Sequence, residues 1–143
     1  MKRHKAFILL LMFYVTSLLP ACKFSKGERA RAMEQELQEK IKTGVLANTS
    51  KADVEAFVDR LSVAGERPVR QEYSKDFSGF DRGSSAPHKP KEMPPNIVGH
   101  VIAKWASVES DITIMHNVGI YAIFFFDADN HLVTYSVHRY FTN

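Results

Sequence analysis

The segment Val118–Phe126, VGIYAIFFF, constrains this chain more than any other: it is apolar almost throughout and runs straight into Asp127-Ala128-Asp129-Asn130. Its β-branched and aromatic residues suit a strand, and a strand without polar alternation needs cover on both faces. The turn-forming residues and the alternating segment His131–Phe141 (HLVTYSVHRYF) then read as the second half of a hairpin. In that last strand Leu132, Thr134, Ser136, His138 and Tyr140 point one way, and Val133, Tyr135, Val137, Arg139 and Phe141 the other. The second set is expected to face the core. A further strand spans Ile97–Trp105, with Ile97, Val101, Ala103 and Trp105 on one side.

Two helical segments precede the strands. In Gly27–Lys42, Ala30, Met33, Leu37 and Ile41 form one apolar stripe, which Gly44 ends. The second helix starts at Ser50, a capping residue with Asp53 three positions on; Val54, Phe57, Val58 and Leu61 are its buried set, and Gly65 closes it. Val69–Tyr73 reads as a short edge strand. Ser74–Asn96 is rich in Gly, Pro and polar residues, too long for a routine connection, and so a flexible loop or a functional one. Phe77 and Phe80 suggest that it folds back onto the domain. The fold class expected is α+β: two amphipathic helices packed on an antiparallel meander of three to four strands, in two layers.

The composition fits one domain. A chain of 143 residues is too short for two good cores, and 45% hydrophobic content excludes wholesale disorder. With 19 Lys and Arg against 16 Asp and Glu, the pI near 9.0 invites an anionic partner. Lys2, Arg3 and Lys5 account for the whole excess, however, and residues 22–143 carry 16 of each sign. Nucleic-acid binding loses its support with that subtraction.

Those three cations head an uncharged apolar stretch, Ala6–Leu19, the plan of a secretory signal. As a helix it would reach about 21 Å, short of the ~30 Å hydrocarbon core of a bilayer. The stretch ends in Leu19-Pro20-Ala21-Cys22, which resembles the lipobox of bacterial lipoproteins. The resemblance implies cleavage of residues 1–21, attachment of diacylglycerol to Cys22 and often a further acyl chain such as palmitate on its amino group. Residues 22–26 become a lipidated tether and 27–143 a single domain with an irregular loop at 74–96. Lys23 in place of Asp implies sorting to the outer membrane, facing the periplasm. The helix, helix, strand order and the hairpin FFFDADNHLVTYSV also resemble the small SmpA/OmlA outer-membrane lipoproteins and β-lactamase-inhibitor-like domains, over roughly Thr49–Ser136. That resemblance implies a role in outer-membrane assembly or in binding a partner protein.

Reactive chemistry is sparsely signalled. Cys22 is the only cysteine, which excludes internal disulfides and cysteine-based zinc clusters. His88, His100, His116, His131 and His138 lack paired metal-ligand spacing, so no metal or other cofactor is expected. Asp127, Asp129 and Asn130 open like a calcium loop, but Leu132 stands where glycine is needed and His138 where a bidentate glutamate is needed. Glu109 and Asp111 are a carboxylate pair without a nucleophile beside them, and no catalytic residues are assigned. The aromatic residues Trp105, Tyr121, Tyr135 and Tyr140 suit either core or interface, with core expected for Trp105 and Tyr135. The Phe77–Pro95 loop is the expected recognition element. The leading expectation is a non-enzymatic, lipid-anchored envelope protein that binds another envelope protein as an assembly accessory. Two alternatives stay open: an inhibitor or immunity protein against a toxin or lytic enzyme, and a small envelope hydrolase, whose sign would be a pocket of convergent carboxylates or histidines around Asp111, His116 and His131.

Overall fold

The computed structural model describes residues 28–82, 86–111 and 116–142, with the side chains of 106–117 and 142 left aside. Within them lie helix α1 (Glu28–Gly44), helix α2 (Lys51–Arg60) and strands β1 (Val69–Arg70), β2 (Gly99–Asp111), β3 (His116–Phe126) and β4 (Leu132–Thr142). The strands form one sheet in the order β1-β2-β3-β4, each neighbour antiparallel. The fold is α+β.

α1 buries Ala30, Met33, Leu37 and Ile41, the stripe set by its sequence spacing, and it contacts β2, β3 and β4. The Arg139 guanidinium meets Glu34 at 2.9 Å and fastens the helix to β4. α2 begins where the Ser50 hydroxyl oxygen accepts the Asp53 N–H at 3.2 Å and the hydroxyl donates to the Asp53 carboxylate at 2.6 Å. It ends at Arg60, earlier than Gly65, because Leu61 leaves the helix in an extended conformation. Gly65 instead serves a tight turn with Ala64, both at positive φ, between the paired residues Val63 and Glu66. Arg29, Glu36 and Lys40 of α1 hold that turn through Glu66, the Ala64 N–H and the Ser62 carbonyl.

β3 is covered on both faces, as its composition requires. Toward the helices, Val118, Ile120, Ala122, Phe124 and Phe126 join Val101, Ala103, Trp105, Val54 and Val58 in the main core. Toward the other face, Tyr121, Ile123 and Phe125 pack with Ile102, Tyr140 and Phe80. The returning loop is thus a third layer, one more than the two expected.

Two facings, those of Leu132 and Ile97, differ from the alternation read in the sequence, and so does the burial of the last two aromatic residues. Leu132 is buried in the helix-side core with Tyr135 and Val137 rather than opposite them. The ladder shifts between Phe125 and Phe126, which pair with Thr134 and Leu132, so Val133 is an extra residue and the parity flips across it. Tyr140 keeps the side read for it, opposite Tyr135 and Val137, but is buried there by the loop-side cluster, while Phe141 of the expected core set is 39% exposed. Ile97 packs on the loop-side cluster, away from Val101, because it sits in a turn before β2 begins.

Candidate functional site

The loop-covered face is where polar chemistry gathers. Asp76 starts the fold-back: its N–H donates to the Ser74 hydroxyl, and its carboxylate accepts the Ser78 N–H at 2.7 Å and the Ser78 hydroxyl at 3.0 Å. These bonds draw the Asp76 carboxyl below its ordinary value. The turn so formed lays Phe77 and Phe80 on the His100 ring, each with centroids 4.8 Å away. A second fastening lies further along: His88 donates its N–H to the Tyr121 hydroxyl at 3.0 Å, and its ring nitrogen Nδ1 lies 3.1 Å from Asp81. The loop is therefore pinned to both β2 and β3.

Under it sit three side-chain atoms that are buried without a hydrogen-bond partner: His100 Nδ1, Ser136 Oγ and His138 Nε2. An unpaired buried polar atom costs about 1–3 kcal/mol, so three on one face are unusual for a surface that only packs. Burial lowers the pKa of His100 against the opposing pull of Asp76. Burial, then the neighbouring His88, lowers that of His138, with Glu34 opposing. Burial also raises the Tyr121 and Tyr140 hydroxyls.

Between the fold-back and β2 runs a cleft of about 340 Å³ lined by Gln71, Ser74, Asp76, Phe80, His100 and Lys104 among others. Another hollow, of about 410 Å³, lies where α1 ends beside α2, with Lys40, Phe57 and Arg60 on its wall. Lys40 is already paired with Glu36 there, at 2.7 Å.

Several residues singled out from the sequence come to different places. Cys22 lies outside the described residues. Asp111 pairs with His116 at one end of the β2–β3 ladder, whereas His131 precedes β4 at the far end of β3. Ten residue steps of β3 separate those ends, about 30 Å, so the backbone does not bring the three positions together. Asp127, Asp129 and His131 do converge, with potential ligand atoms within 4.8 Å of one another. One Asp127 oxygen is committed to the hairpin, accepting the Asp129 N–H at 3.0 Å and the His131 N–H at 2.8 Å. Trp105 is buried and donates its indole N–H to the Glu66 carbonyl, and Tyr135 packs against the same helix-side core. Tyr121 and Tyr140 belong to the loop side.

The pairing of His100 with Lys104 is the feature the sequence reading passes over. Its signal is parity: His100, Ile102 and Lys104 fall on the strand positions opposite Val101, Ala103 and Trp105. Comparison with family models, curated proteins and solved structures gives no match.

Proposed function

We propose that the chain is a bacterial lipoprotein held to the outer membrane through Cys22, and that its α+β domain is a non-enzymatic module that binds another envelope protein. On this reading two amphipathic helices on an antiparallel meander form the scaffold, and the Phe77–Pro95 loop is the recognition element. The observation that carries the anchor is Leu19-Pro20-Ala21-Cys22 closing an uncharged apolar stretch behind Lys2, Arg3 and Lys5. Two or more acyl chains give stable tethering where one does not. Support for the loop comes from its fastening. Tyr121, Asp81 and the Phe77–Phe80 pair fasten its described residues to the sheet, so its exposed Arg82, Lys91 and Glu92 are presented with little ordering cost. An assembly accessory is the role favoured by the resemblance of Thr49–Ser136 to small outer-membrane lipoproteins.

Photocrosslinking in cells tests the reading. A crosslinking residue at Arg82, Lys91 or Glu92 is expected to capture one recurrent envelope protein, while the same residue at Gln38 on the exposed side of α1 captures none. Equal capture from both faces, or none from the loop, would count against it. Capture of a lytic enzyme would support the inhibitor role over assembly.

A further inference from the structure

His100, Ile102 and Lys104 step along one face of β2 at intervals of about 7 Å, and all three line the 340 Å³ cleft beside the Asp76 turn. His100 is the buried polar residue among those described, 5% exposed, and its Nδ1 has no partner although Phe77 and Phe80 enclose the ring. Lys104 makes no ion pair among the described residues. The other charge in the cleft, Asp76, is engaged through both oxygens by Ser78. What is left without a partner is one cation lining the cleft and one buried hydrogen-bonding nitrogen beside it, with Ile102 between them along the strand.

We propose that this cleft binds a small carboxylate-bearing molecule, the carboxylate on Lys104, a short apolar middle on Ile102 and a polar group on His100 Nδ1. A single lysine with Asp76 close by suits a monoanion better than a phosphate dianion, which needs several donors or a guanidinium fork. The volume stands near the lower end of the range of about 300–1,000 Å³ for ligand sites, which fits a molecule of dipeptide size. Such a carboxylate belongs either to a free small acid or to the end of a peptide chain. The proposal does not rest on anchoring or on a protein partner, since a small acid would bind an untethered chain equally.

The test is an NMR titration of the full chain, following the backbone amide signals of β2 and the histidine ring signals, with glutarate, N-acetyl-Ala-Ala and the C-terminal amide of that dipeptide. At least one carboxylate probe is expected to shift the His100 signals saturably, and the amide to leave them in place. Saturation by the dipeptide alone assigns the site to a chain end, and by glutarate alone to a free acid. Lys104→Gln should weaken binding by about tenfold or more, as loss of a charge-assisted contact does. His100→Phe keeps a ring between Phe77 and Phe80, so it should remain folded while binding more weakly. Equal shifts with the amide, no saturation by about 10 mM of either acid, or undiminished binding to folded Lys104→Gln would overturn the proposal.

Discussion

The ring of Tyr140 on β4 lies over Gly119, its register partner on β3, and fills the space a Cβ at position 119 would take. The ring is held there: it is 7% exposed, sits 5.8 Å from the Tyr121 ring, and its hydroxyl donates to the Trp105 carbonyl. Gly119→Ala is therefore expected to destabilise the fold by about 1–3 kcal/mol through overpacking. Thermal or urea unfolding measures it. In a Tyr140→Leu background the same change should cost less, because the clashing ring is gone.

The loop is expected to detach without unfolding the sheet. Phe80 is its deepest anchor, packed on His100 and 6.3 Å from the Phe125 ring. Phe80→Ala should speed proteolytic cleavage within Phe77–Pro95 while amide exchange in β3 stays slow, since the helix-side core is untouched. Loss of protection across β3 in that variant would mean that the third layer is integral to the core.

Acid should loosen the same face. Burial holds His100 and His138 below the ordinary value of 6.5, so as pH falls through that value the unfolded chain takes up protons that the folded one resists. Above 6.5 both states are neutral at these rings and nothing is lost. Stability then declines below 6.5 until the lowered folded values are passed. Asp76 moderates the effect at His100; at His138, Glu34 moderates it and His88 adds to it. The melting temperature should drop between about pH 7.5 and pH 5.5, and less so in His100→Phe, which has one ring fewer to titrate.

Much of the architecture is legible from residue patterns because it is locally determined. The stripe of α1, the Ser50 cap and the Asp127 turn each rest on neighbours within four positions, and each appears where those neighbours dictate. The end of α2 and the facing of Leu132 are less legible, for they depend on the partner: the bulge at Val133 is set by how Phe125 and Phe126 pair across the hairpin. The candidate site is harder still. Phe77 and Phe80 announce a fold-back, but that they land on His100, and so form a cleft with Lys104, follows from contacts twenty or more residues apart in sequence.

The most direct measurement of the central claim is metabolic labelling with a fatty-acid analogue in a bacterial host. The wild-type chain should take up label and move to the membrane fraction, and Cys22→Ser should fall to background in both. Equal labelling of the Cys22→Ser chain, or an unlabelled wild type, would contradict a lipid anchor at that residue.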